Sequence, residues 1–496
     1  MSIEQLSPPQ LWQHFAQICR FPRPSKHETA LRDHIQAWAQ ARGLSTRLDR
    51  AGNLIIRKAA SAGMENRLGV VLQAHLDMVA QKNEATEHDF IRDPIQPRIV
   101  DGWVSACGTT LGADNGIGVA AALAVLESPE LVHGPLEVLF TLDEEAGMSG
   151  AQGLEPGLLQ GQLLLNLDTE DWGEIYVGCA GGVDISLNRS LHHEPLPAGY
   201  VVRDLVLNGL KGGHSGVDIH LERGNAIKLL ARLLSEAIPR FDARLLNFRG
   251  GTLRNALPRE AFAQLAIPAC DAVQFARCVE LFTQTLQAEL GESEPALHLS
   301  VSDAEAANSP ALTAADTVLA IDLLLALPHG VRRWSQQIAG VVETSNNLGV
   351  VKVDERRFEA VLMLRSLTDS GLHELQTMIE ALARLARLGV EASGAYPGWA
   401  PDTDSAALKL LQDVYQQLYG HAPAVKVIHA GLECGLIGRA YPELEMVSFG
   451  PTIRGAHSPD ERVEIGSVAQ FWQLLQAALA AVAEKTEAES TLSIQK

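Results

Sequence analysis

Hydrophobic positions along the chain change period several times, and each change marks an element. After Ser7-Pro8-Pro9, Leu11, Phe15 and Ile18 fall on one side of a helix, with the prolines at its start. A second helix is predicted over 28–40. From there to about residue 186, short apolar runs alternate with turn clusters and helical patterns. The runs 53–57, 68–74, 136–141 and 163–167 read as strands and 115–126 as a helix. Near-continuous apolar strands separated by helices predict an α/β domain with a mostly parallel sheet, covered on both faces.

Beyond about residue 186 the style changes. Residues 201–207 (strand), 222–236 (helix), 245–248 and 261–267 (strands) and 272–290 (helix) form a βαββα run. A similar run follows in 315–327 (helix), 340–351 and 357–365 (strands) and 372–388 (helix). The pattern therefore predicts three stretches: 1–185 as the first part of the sheet domain, 186–395 as an inserted α+β domain of two related halves, and 396–496 as the second part of the sheet domain. The Pro/Gly-rich stretch from Gly394 to Trp399 marks the return. Helices over 404–418 and 468–482 then flank a strand over 444–449.

Composition narrows the partners. With 496 residues, 46% of them hydrophobic, the chain can bury large cores and is not disordered. Sixty acidic against forty basic residues leave a net charge of −20, with no basic cluster, which argues against nucleic acid and admits metal ions. Met1 to Gln5 carries no basic stretch leading into an apolar core, so no secretory leader is read. The most apolar windows, 68–74 and 116–126, are too short to cross a bilayer. Six scattered cysteines without a C-x-x-C pair fit a cytoplasmic protein with reduced thiols.

In an open parallel sheet, functional groups collect beyond the carboxyl ends of the strands. Those positions hold His75-Leu76-Asp77, Asp114 after the loop Gly108 to Ala113, Asp143-Glu144-Glu145, Asp168 and, after 446–450, His457. Two imidazoles and several carboxylates from separate strand ends are the composition of a metal site. His75, Asp114, Glu145, Asp168 and His457 make five ligands, one more than a tetrahedral zinc uses. With Asp114 bridging, two ions each receive three protein contacts: His75, Asp114 and Asp168 for one, and Asp114, Glu145 and His457 for the other. Two doubly charged cations against three carboxylates leave a net +1, which favours a shared hydroxide. Asp77, on the same side of an extended chain as His75, is placed to accept the second imidazole N–H. Glu144 is left over as the general base. Taken singly, each residue also has a plain structural reading: Asp114 as a helix cap, His75 as a core histidine, Glu144-Glu145 as a solvated pair.

The motifs His75-Leu76-Asp77, Leu111 to Gly116, Glu144 to Gly147, Asn166-Leu167-Asp168 and Gly455 to Asp460 occur in the order of those of the aminoacylase/carboxypeptidase G group of di-metal exopeptidases, and the chain resembles that group over nearly its whole length. Gly212 to Gly216, Gly251 to Ala256, Leu364-Arg365-Ser366 and His429 to Gly435 narrow the likeness to its dipeptidases. The resemblance implies the same five ligands with Asp114 bridging, Asp77 in support, Glu144 as base and a cis peptide at Asp114–Asn115. It implies a lid in the inserted domain, with His214 stabilising an oxyanion, and Asn255, Arg365 and Gly431 holding substrate. Asp at position 168, where deacylases and carboxypeptidases of the group usually carry Glu, implies action on free amino termini.

The expected protein is a metal-dependent hydrolase of unblocked dipeptides, including Xaa-His compounds of the carnosine type. Its expected ions are two Zn2+, with Co2+ or Mn2+ admissible, and it is expected to be a cytoplasmic homodimer without nucleic-acid or membrane partners. An N-acyl amino acid deacylase or carboxypeptidase of the same group is the alternative; an inactive binding or assembly protein is a remote one.

Overall fold

The computed structural model describes residues 2–83, 85–304, 310–355 and 357–484. In chain order its main strands are β1 (Ser45–Leu48), β2 (Leu54–Lys58), β3 (Val70–His75), β4 (Leu136–Thr141), β5 (Leu163–Asn166), β6 (Glu174–Cys179), β7 (Gly181–Ser190), β8 (Tyr200–Asn208), β9 (Arg244–Gly250), β10 (Ala261–Pro268), β11 (His298–Asp303), β12 (Val342–Val353), β13 (Arg357–Ser366), β14 (Gly389–Tyr396), β15 (Ala424–Ile428) and β16 (Glu445–Ser448). Its main helices are α1 (Pro9–Ile18), α2 (Thr29–Ala41), α3 (Ala113–Glu127), α4 (Ala226–Phe241), α5 (Ala272–Leu290), α6 (Ala314–Ala326), α7 (Asp369–Ala386), α8 (Ala406–Tyr419) and α9 (Ile465–Ala481). Two compact units result. The described residues of Met1–Cys179, Trp399–Val427 and Leu432–Lys496 form the first, and those of Ala180–Gly398 with Ile428–Gly431 the second.

The first unit is built on one sheet in the order β1-β2-β4-β3-β5-β16-β6-β15. Its middle four strands, β4, β3, β5 and β16, are parallel. On one flank β1 and β2 run antiparallel, and on the other β6 runs antiparallel to β16. Every residue of β3, β4 and β5 is buried, which is why their sequences are apolar without alternation. Helix α3, buried from Ala113 to Leu126, packs on β3 and α1. The parallel register sets His75 beside Thr141 and Gln73 beside Asn166. One end of the sheet thereby collects the loops that follow β3, β4, β5 and β16.

The second unit starts at Ala180, ahead of the expected boundary at 186, because β7 belongs to its sheet; that boundary cuts through the alternation Val183, Ile185, Leu187. The sheet runs β11-β8-β10-β9-β12-β13-β7-β14, with antiparallel neighbours throughout this path. Its two halves share one plan. The succession β8-α4-β9-β10-α5-β11 lies in the spatial order fourth, first, third, second. The succession β7-α6-β12-β13-α7-β14 repeats that order read from the opposite edge, and the halves join at their second strands, β9 and β12. The first half is thus spliced between β7 and α6 of the second. The helix predicted at 222–236 is α4, which starts later, at Ala226, because the Asn225 side chain accepts the Ile227 and Lys228 N–H groups and caps it there. Among the described residues no helix is long and apolar enough to cross a membrane.

Candidate metal centre

His75 ends β3 with its ring 1% exposed. Its Nε2 lies 3.2 Å from Asp114 Oδ1 and 3.2 Å from Asp168 Oδ1, while its Nδ1 lies 3.3 Å from Asp77 Oδ1. Asp77 does more than face the ring. It accepts the Ser25 hydroxyl (2.7 Å) and the N–H groups of Glu144 (3.0 Å) and Glu145 (3.1 Å). Burial alone would raise its pKa; His75, Ser25 and the Glu144 N–H outweigh that and hold it at about 2. Asp77 therefore faces the imidazole while its carboxylate holds the Glu144-Glu145 turn.

The other cluster shares Asp114. His457 Nε2 lies 3.1 Å from Asp114 Oδ2 and 3.1 Å from Glu145 Oε2. Asp114 thus turns one oxygen toward each histidine, and the peptide that follows it is cis. Among the described residues, potential ligand atoms come within 4.8 Å of one another in three groups: His75, Asp114 and Asp168; Asp114, Glu145 and His457; and His75, Glu144 and Glu145. All five expected ligands and the expected base converge.

The residues fit divalent ions. Two donors each ~2.0–2.1 Å from a tetrahedral zinc stand roughly 3.3–3.4 Å apart, close to the spacings just given. Glu145 Oε1 and Asp168 Oδ1 are buried without a hydrogen-bond partner, and the donors are imidazole and carboxylate with no thiolate. Charge points the same way. Burial and the Asp114 charge, opposed by His457, push the Glu145 carboxyl up to about 7. Burial, offset in part by His75, pushes Asp168 up to about 6. Glu144 is driven well above the usual range by burial and by Glu145, Asp168 and Glu433, against the pull of His75. Carboxylates crowded into low dielectric call for cations.

Several residues that hold this centre had no signal in a linear reading. Arg23, buried, donates to the carbonyls of Leu76 (2.9 Å) and Asp77 (2.7 Å) and to that of Gly112, tying the His75 loop to the Asp114 loop. Glu28 accepts the Asp143 N–H at 2.9 Å, where Asp143 adopts a left-handed φ of 58°. Glu433 accepts Gln73 and the Thr141 hydroxyl, both at 2.6 Å, and burial pushes it up to about 8. Glu461 accepts the N–H groups of Leu111 to Asp114. Only the last had a clue: Gly112 begins α3 without a side-chain cap, so its free donors need an acceptor from elsewhere.

The remaining expected residues lie in the second unit. The His214 Nδ1 accepts the Gly216 (3.2 Å) and Val217 (3.0 Å) N–H groups, so a neutral ring carries its proton on Nε2. Asn255 is exposed, and its carbonyl accepts the Ser215 N–H at 2.9 Å. Arg365 is buried; it donates to the Tyr396 hydroxyl (2.9 Å) and the Met363 sulfur (3.4 Å), both uncharged, and its Nε has no hydrogen-bond partner. A Cβ at Gly216 would stand 2.0 Å from the His429 carbonyl oxygen and 3.1 Å from Arg365 Nε, so glycine is what lets the His214 turn approach Arg365. Gly431 follows a segment in which the Ile428 and Ala430 carbonyls share the Ala180 N–H.

The family model described as Peptidase family M20/M25/M40 matches residues 71–481. The chain belongs to that family. The M20/M25/M40 assignment is reinforced by the cytosol non-specific dipeptidase of Escherichia coli (strain K12), which is 52% identical over 473 residues, covering 95% of this chain and 97% of that one. The crystal structure of aminoacylhistidine dipeptidase from Vibrio alginolyticus superposes with a TM-score of 0.90 at 51% identity, covering 98% and 99% of the two chains. An aminopeptidase from Bacillus cereus shares the fold at a TM-score of 0.56 and 16% identity, with 97% and 100% covered. The likeness read from the motifs, to the dipeptidases within the group, is borne out, and the mixed α/β fold is that of M20 peptidases.

Proposed function

We propose that this M20/M25/M40 peptidase hydrolyses unblocked dipeptides, Xaa-His compounds among them, at a centre of two divalent ions. The observation that supports it best is Asp114, whose two carboxylate oxygens face His75 and His457 separately at 3.2 and 3.1 Å. His75, Asp114 and Asp168 would hold one ion, and Asp114, Glu145 and His457 the other. When bound, the ions supply Lewis acidity to the scissile carbonyl and to water.

The chain's own groups do the rest. Glu144, with Asp77 accepting its N–H at 3.0 Å, takes a proton from the attacking water and returns it to the leaving amine. A carboxyl raised toward neutrality is suited to carry a proton both ways near pH 7. In this reading the second unit is a lid. His214 offers its Nε2–H to the developing oxyanion, Arg365 and Asn255 take the substrate carboxylate, and Gly431 lends its backbone. Zinc as the ion, with cobalt or manganese as substitutes, a cytoplasmic location and a homodimer with self-contained sites belong to the same reading. Metal analysis and the mass in solution check the ion and the dimer.

The deciding experiment compares a free dipeptide with its N-acetyl form before chelation, after it, and after metal is restored. Hydrolysis of the free form, lost with chelator and regained with metal, is expected. Preference for the acetylated form would instead make the protein a deacylase.

A further inference from the structure

We propose that Glu461 is a positioning residue that sets His457 against Asp114 and thereby builds the second ion site; this rests on the two-ion reading above. Glu461 is buried, and both of its oxygens are committed. Oε2 accepts the N–H groups of Leu111 (2.7 Å) and Gly112 (2.9 Å), and Oε1 those of Ala113 (2.7 Å) and Asp114 (3.2 Å). These four donors belong to the turn that leads into α3, where Gly112 offers no side-chain cap and Asp114 and Asn115 depart from helical geometry, so they need an acceptor from elsewhere. A carboxylate there gains charge-assisted hydrogen bonds from all four N–H groups.

The same carboxylate belongs to the loop that carries His457. That loop is a closed turn: Ser458 N–H donates to the Gly455 carbonyl (3.1 Å), Glu461 N–H to the Ser458 carbonyl (3.0 Å), and the Ser458 hydroxyl to the Gly455 carbonyl (2.7 Å). His457 itself sits at a left-handed φ of 62°, and its side chain is 53% exposed, so packing alone does not fix it. Glu461 docks this turn on the residues that deliver Asp114. The first ligand group has separate supports: the β3–β5 pairing sets His75 near Asp168, and Arg23 bonds the Leu76 and Asp77 carbonyls to that of Gly112. Loss of Glu461 should therefore loosen one ion site and spare the other.

Zinc is titrated calorimetrically into chelator-treated full-length protein, with melting temperature recorded alongside. The wild type should bind two ions. Glu461→Ala should bind one with wild-type affinity and the second about 10–100-fold more weakly, the usual cost of losing an outer support. Glu461→Gln, which keeps the volume but offers one acceptor oxygen, carries the test if the alanine variant does not fold. Val468→Ala, from the buried side of α9, serves as the control for general destabilisation and should keep both ions. Two tight ions in the Glu461 variants, equal weakening of both ions, or loss of the second ion in Val468→Ala as well would each overturn the inference. Fewer than two ions in the wild type would overturn the two-ion reading instead.

Discussion

The two units differ in which buried titratable groups they hold away from their ordinary pKa. In the first, burial raises carboxyls: Asp168 to about 6, Glu145 to about 7, Glu433 to about 8. In the second, burial suppresses imidazolium. His329 falls to about 4 through burial and the Lys228 ammonium, and His429 to about 3 through burial and Arg365. One unit thus gathers buried carboxyls whose ionised form a cation would favour. The other keeps a buried guanidinium whose hydrogen-bond partners, Tyr396 and Met363, are uncharged. A dipeptidase needs both, and each costs stability until its ligand arrives. The difference follows from architecture. Parallel strands bring several loops to one sheet end, where carboxylates from distant segments meet. The antiparallel sheet spreads its polar groups along strands and turns.

Four changes would break or sharpen this contrast. The largest effect is expected at Glu144→Ala in the first unit: turnover should fall by about 10²–10⁴-fold while metal content stays, and an unchanged rate would remove Glu144 as the base. Next is Arg365→Gln in the second unit. Losing the guanidinium should raise KM for free dipeptides by roughly 30-fold or more, the ~2 kcal/mol cost of an unpaired buried carboxylate. Steady-state kinetics with kcat and KM resolved would show whether kcat suffers less.

Asp77→Asn should weaken metal binding about 10–100-fold by releasing the His75 ring, measured by competition with a chelating dye. The smallest effect is acid sensitivity in the second unit. His329 is held neutral in the folded chain at about 4, whereas the unfolded chain takes up a proton below about 6.5. Its contribution is therefore complete above about pH 6.5 and lost as pH falls toward 4, a loss of up to about 3 kcal/mol. His329→Asn should flatten the fall in melting temperature across that window.

Much of the molecule was legible from residue order. Every apolar run read as a strand in the first 186 residues lies in the sheet, because strands buried on both faces announce themselves. The repeated βαββα pattern exposed the plan of the inserted unit. Three of its strands were missed: β7 lies across the expected boundary, and the two edge strands, β11 and β14, are short of buried positions, so they show no clear apolar alternation. The candidate ligands were legible for a different reason. Histidine and acid at the ends of apolar strands are costly without a purpose, so His75, Asp114, Glu145 and Asp168 stood out. His457 stood out with them once the strand before it was recognised.

What the linear order determined, then, was the identity of the chemistry: which side chains could be ligands, which could be a base, and which elements would carry them. Hydrophobic period and local capping act between near neighbours, so they can be read along the chain. Only the folded arrangement decided which oxygen of Asp114 faces which histidine, that Arg23 fastens two loops, and that Glu461 accepts the N–H group of Leu111, 350 residues earlier. Those contacts are made across the sheet between residues whose separation obeys no period, and their energy comes from burial and shared hydrogen bonds that exist only once the chain has closed on itself.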